Sequence, residues 1–147
     1  MNDAWSWKLS DQGYSVRIDC DSRVSYAYLL KGTAFVGDVW LTNTDYDPDE
    51  IPWDTSHQEM PFRNPKEYTI SHEPLIDPNP DDFVFYSWHD KGSLRVAILY
   101  LGQPLAILGD GIKPGWCVFA KKRGPLAQPL LIDVRRNNQD RPPDTTS

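Results

Sequence analysis

Short turn sequences break this chain at intervals of about 8–12 residues, the spacing of an all-β sandwich or barrel. Asp11-Gln12-Gly13, Lys31-Gly32-Thr33 and His89-Asp90-Lys91-Gly92 are the clearest of them. Between them the residues alternate with the period of two that a strand half-buried on one face requires. Val24, Tyr26, Tyr28 and Leu30 alternate with Ser25, Ala27 and Leu29, and Ala34 to Leu41 reads as the returning strand of a hairpin. The same reading predicts strands over Trp5–Leu9, Tyr14–Asp19, Phe83–Trp88, Leu94–Leu101, Leu105–Leu108, Trp116–Lys121 and Leu130–Val134. Gly102-Gln103 suits a two-residue turn with glycine in its first central place. Pro104 can then enter a strand only at its first residue or on a sheet edge, having no N–H for the ladder.

Long helices are excluded by the same punctuation. Val96–Leu101 is bracketed by Gly92 and Gly102 at strand length, and 13 of the 147 residues are proline. Each proline inside a helix costs about 3 kcal/mol. Helix is therefore expected only as a short turn. The fold expected is all-β, an antiparallel sandwich or open barrel of about 8–10 strands built from meander hairpins. With 39% hydrophobic residues there is material for one core, so residues 1–135 are expected to form a single domain, with 136–147 a disordered tail. Val24, Tyr26, Tyr28, Val39, Phe85, Val96, Ile98, Ile107, Val118 and Ile132 are the core candidates.

One stretch breaks the pattern. Residues 44–82 hold 11 acidic side chains against Arg63 and Lys66, a net of -9, while the whole chain is only -6. They also hold 7 of the prolines. Connections longer than about 12–15 residues inside a compact domain are functional or disordered. Tyr46, Ile51, Trp53, Met60, Phe62 and Tyr68 are scattered among these charges, which disordered linkers lack. The expectation is a long ordered loop, stiffened by proline and pinned to the sheet by aromatics.

Motifs for chemistry are missing. Asp45-Tyr46-Asp47-Pro48-Asp49-Glu50 starts like a calcium loop, but its sixth place is Glu50 rather than glycine and its twelfth is Ser56 rather than glutamate. His57, His72 and His89 have acidic neighbours but no His-x-His spacing; adjacent strand residues point to opposite faces, so they read as surface or turn histidines. No Gly-x-Ser-x-Gly elbow occurs, and Gly109-Asp110-Gly111 has no phosphate-binding context. Cys20 and Cys117 form no CxxC pattern and read as reduced thiols, with Cys117 buried. Neither a metal nor a cofactor is expected, and the protein is read as not an enzyme.

The surface excludes further classes. A net charge of -6 with a single basic cluster, Lys121-Lys122-Arg123, argues against nucleic acid. No apolar run reaches the roughly 20 residues that span a bilayer. The N-terminus carries no basic segment followed by an apolar core, which points to the cytoplasm. What stands out is the acidic, aromatic stretch. Charge steers a basic partner and raises its on-rate, and aromatic anchors supply contact energy. The partner-binding residues predicted on this ground are Asp45, Tyr46, Asp47, Asp49, Glu50, Trp53, Asp54 and Glu59.

This profile, small, acidic, all-β and without catalytic residues, is similar to that of the immunity proteins bacteria keep against their own toxins. That resemblance implies a partner that is a basic protein, such as a nuclease toxin, blocked by an acidic surface. The rival expectation is a small-molecule or carbohydrate binder, or an enzyme, with a cleft lined by Trp40, Trp88 or Trp116.

Overall fold

The computed structural model describes residues 3–10, 13–21, 24–43, 64, 68–70, 72, 75 and 78–131. Among the described residues nine strands run β1 (Asp3–Lys8), β2 (Tyr14–Cys20), β3 (Val24–Lys31), β4 (Ala34–Asn43), β5 (Phe83–Asp90), β6 (Ser93–Tyr100), β7 (Gln103–Gly109), β8 (Ile112–Cys117) and β9 (Gln128–Pro129). The helical content among the described residues is 3-10 only, at Tyr68 and in the turn Pro80–Asp82, which is entered by Asn79, whose N–H is bonded to the Asp82 carboxylate. The all-β expectation holds.

The strands form two antiparallel meanders, β1–β4 and β5–β8, joined into one sheet of order β1-β2-β3-β4-β8-β7-β6-β5 with β9 beside β8. The sheet is mixed rather than wholly antiparallel, because β4 meets β8 in parallel at Gly37↔Ile112 and β8 meets β9 in parallel. It curls on itself into a half-barrel. The terminal strands β1 and β5 face each other through aromatic rings, with Trp7 4.7 Å from Phe85 and Trp5 6.1 Å from Phe83.

Alternation explains which face is inside. Val16 and Ile18 of β2, Val24 and Leu29 of β3, Val39 and Leu41 of β4, Val96 and Ile98 of β6 and Leu108 of β7 are fully buried. Each such side chain contributes about 1.5–3 kcal/mol by leaving water. Of the predicted core, Val24, Tyr26, Val39, Val96 and Ile98 are buried, whereas Tyr28, Phe85 and Val118 are only partly so and Ile132 lies outside the described residues. Ile107 pairs with Ala97 and Trp116 on the outer face. Its neighbours Ala106 and Leu108, opposite the buried Ile98 and Val96, are the ones that alternation turns inward.

The two meanders join where side chains are absent. A Cβ on Gly37 would lie 2.5 Å from the Gly109 carbonyl oxygen, and one on Gly115 would lie 2.3 Å from that of Ile107. Only glycine lets the backbones approach so closely. β8 starts earlier and ends earlier than the predicted Trp116–Lys121; the short β9 precedes the predicted strand Leu130–Val134, of which Leu130 and Leu131 are not in a strand and 132–134 lie outside the described residues. Between β6 and β7 the turn residues are Leu101 and Gly102, both at positive φ, rather than Gly102-Gln103. Two left-handed residues match the twist of a tight hairpin.

Candidate functional site

The predicted site residues Asp45, Tyr46, Asp47, Asp49, Glu50, Trp53, Asp54 and Glu59 all lie outside the described residues. The described residues do fix the two points between which they run. β4 ends at Asn43, and Asn43 is bonded to Asn64 twice over. Its side-chain amide donates to the Asn64 carbonyl at 2.7 Å, and its Oδ1 accepts the Asn64 N–H at 2.9 Å. The chain that leaves the barrel at Asn43 is thus back at the same place by Asn64.

This closure is built as a buried polar cluster. Asn43 Oδ1 also accepts the indole N–H of Trp40 at 2.9 Å, and Trp40 is fully buried. Asn64 is 1% exposed, and its carbonyl takes a further bond from the Thr69 hydroxyl at 3.2 Å. Beneath it the Ser25 and Thr42 hydroxyls bond to each other across β3 and β4 at 2.6 Å. Buried polar groups persist only where they are paired. One asparagine serves three partners here, so removing it would orphan the Trp40 and Asn64 N–H groups and leave the Asn64 carbonyl with Thr69.

A second tether follows. Tyr68–Ile70 lies beside the segment after β8, with Ile70 N–H donating to the Phe119 carbonyl and Lys121 N–H to the Tyr68 carbonyl, both at 2.8 Å. Tyr68, one of the aromatics expected to pin the loop, packs its ring where a Cβ on Gly124 would come within 2.8 Å. Lys122 sits over that ring at 5.0 Å. His72 then returns to β4: its Nε2 accepts the Asn43 N–H at 3.2 Å, and Nδ1 is 2.7 Å from the Ile70 carbonyl. An Nε2 that accepts carries no proton, which leaves the proton on Nδ1 to be donated to Ile70. The ring stacks on Phe119 at 4.6 Å and meets Trp40 edge-on at 5.5 Å. His72 is therefore a half-buried packing residue, not the surface histidine that the sequence suggests.

The opposite end of the first meander is tied differently. The Tyr14 hydroxyl donates to the Asp110 carboxylate at the β7–β8 turn, and the Asp110 carbonyl accepts from Ser93 Oγ at 2.9 Å. Arg95 donates to Ser93 Oγ at 2.6 Å and lies 3.7 Å from Asp90. These groups are only partly buried and brace three turns.

No nucleophile or metal centre is assembled among the described residues. No group of three or more His, Cys, Asp and Glu side chains converges there. Both cysteines are free thiols. Burial, with Asp3, Asp19 and Asp21 nearby, pushes the Cys20 thiol up to about 12. Burial alone does the same to Cys117, so neither is poised as a thiolate. The three tryptophans of the rival reading do not share a cleft. Trp40 is inside, whereas Trp88 stands opposite Arg95 in the β5–β6 register and Arg95 lies over Trp116 at 5.8 Å. Beside Trp88 on the outer face of β5, Val84 and Tyr86 are exposed.

No protein family, curated protein or solved structure matches this chain. No helix among the described residues is long and apolar enough to cross a membrane.

Proposed function

We propose that this protein is a non-enzymatic binding module that neutralises or recruits a basic protein through the acidic, aromatic stretch 44–63, in the manner of a bacterial toxin-immunity protein. The observation that carries the reading is the Asn43–Asn64 closure. The 20 residues it encloses hold 6 acidic side chains against Arg63 alone, and they include every predicted contact residue from Asp45 to Glu59. Closing the ends of such an excursion at one rigid point removes part of the entropy that a partner would otherwise have to overcome. A net of -5 in so short a span also gives a basic partner a steep field to follow.

The two free cysteines support a reducing compartment, and we place the protein in the cytoplasm. The ligand-binding rival has less support, because Trp40 is committed to the closure and Trp88 and Trp116 lie along an outer sheet face. The test is capture of partners from the cells that make the protein, using wild type and a variant with Asp45, Asp47, Asp49 and Glu50 changed to Asn or Gln. A basic protein held by wild type at low salt, shed at high salt and missed by the variant is the expected result. Equal capture by both would remove the stretch as the recognition surface.

A further inference from the structure

The closure contains one titratable side chain whose neutral form is part of the construction. The Nε2 of His72 can accept the Asn43 N–H only while that nitrogen has no proton. Protonation sets a second N–H against the first, donor to donor, at the residue whose side chain holds Asn64. Nδ1 is already committed to Ile70, and the ring is packed between Phe119 and Trp40, so it cannot turn to offer another acceptor. The titratable or charged groups on the elements packed against it are Asp38 on β4, Cys117, Lys121 and Lys122 around the end of β8, and Tyr68 in the loop. Asp38 pairs with Tyr28 near the middle of β4, well before Asn43. Around Phe119 the groups are thus a thiol and the cations Lys121, Lys122 and Arg123, none of which favours an imidazolium, and the carboxylates nearest His72 in sequence, Glu67 and Glu73, lie outside the described residues.

We propose that His72 is a pH-operated latch on the Asn43–Asn64 closure, holding the chain at Asn64 and His72 against the end of β4 when neutral and releasing it when protonated. Burial pulls the imidazole below its ordinary value of 6.5, which fixes the sign. The docked state binds fewer protons than the released one, so docking is at full strength above about pH 6.5 and weakens as the pH falls below it. Below that point each further unit of acid raises the released fraction by at most about tenfold, and the rise stops once the docked histidine itself takes up the proton. Applied to the binding reading above, on which this one consequence rests, the acidic stretch loses its fixed base in mildly acidic conditions.

Hydrogen exchange of the full chain without any partner, followed by mass spectrometry at about pH 7.5, 6.5 and 5.5 and corrected for intrinsic rates, tests the latch. Peptides covering 40–43 and 64–72 are expected to open more at the lowest value than at 6.5, by up to about fivefold, while 94–98 of β6 stays constant. His72→Gln, whose uncharged carbonyl can accept the Asn43 N–H, is expected to abolish the pH response, and His57→Gln and His89→Gln to keep it. A nuclear magnetic resonance titration of the His72 ring proton gives an independent readout in wild type, with a midpoint below 6.5 expected. A flat wild-type exchange profile, an acid response that survives in His72→Gln, or a His72 midpoint at or above 6.5 overturns the latch. Binding is not measured in any of these, so their failure leaves the partner reading standing, and failure of the partner test leaves the latch standing.

Discussion

The two ends of the first meander are both held by polar side chains reaching far along the chain, yet they are built to opposite specifications. At one end Asn43, Trp40 and Asn64 are buried and each polar atom of the Asn43 side chain is committed. At the other, Tyr14, Asp110, Ser93 and Arg95 are partly exposed, and water can replace a lost partner. Burial decides what each is worth. A hydrogen bond open to water contributes about 0.5–1.5 kcal/mol, whereas a buried group left unpaired costs about 1–3 kcal/mol. The costly construction stands where the acidic stretch leaves and rejoins the barrel, and the cheap one braces turns.

The largest effect is expected from Asn43→Ala. It strands the Trp40 indole and the Asn64 N–H and leaves the Asn64 carbonyl with Thr69, and it should lower stability by about 3 kcal/mol in chemical denaturation. A loss below about 1 kcal/mol would mean that water reaches the closure, and the contrast between the two ends would disappear. Tyr14→Phe should cost about 1 kcal/mol, since the phenol loses one carboxylate partner that solvent can satisfy. The double variant should show the sum of the two to within about 0.5 kcal/mol, because the residues share no partner. Coupling larger than that would show the barrel transmitting strain from end to end. Acid separates the ends further. The His72 contribution should fade as pH drops below 6.5, so the Asn43→Ala deficit narrows between about pH 7.5 and 5.5 while the Tyr14→Phe deficit does not.

The sequence was most informative where one face is buried. β1 to β7 lie within one or two residues of the strands that alternation predicts, since a slip of one residue would expose the whole apolar set. β8 reaches back over Pro114 and Gly115, residue types that disfavour a strand interior, ahead of the predicted start at Trp116. In the fold they occupy the part of β8 where the β7 ladder lapses, between the Gly109↔Ile112 and Ile107↔Trp116 pairs, so a missing N–H and a missing side chain are tolerated or required there. The closure left no periodic signal at all. Asn43, Asn64 and His72 are polar residues spread over 30 positions, and asparagine and histidine between strands normally mark solvent-facing turns. The one available hint was Trp40, a large apolar ring with an N–H that must be satisfied once buried.

Smallest in its effect on stability, and most telling for function, is neutralising Asp45, Asp47, Asp49 and Glu50 together. A run of four like charges gains little from folding, so the midpoint of unfolding should stay within the equivalent of about 0.5 kcal/mol of wild type. The direct test of the account is the association rate of the captured basic partner, measured for wild type and this variant across a range of ionic strength. Wild type should associate faster at low salt and slow steeply as the Debye length falls toward about 8 Å, with the variant slower and nearly flat. Identical rates and identical salt dependence for the two proteins would contradict the claim that the closed acidic stretch is what this fold presents.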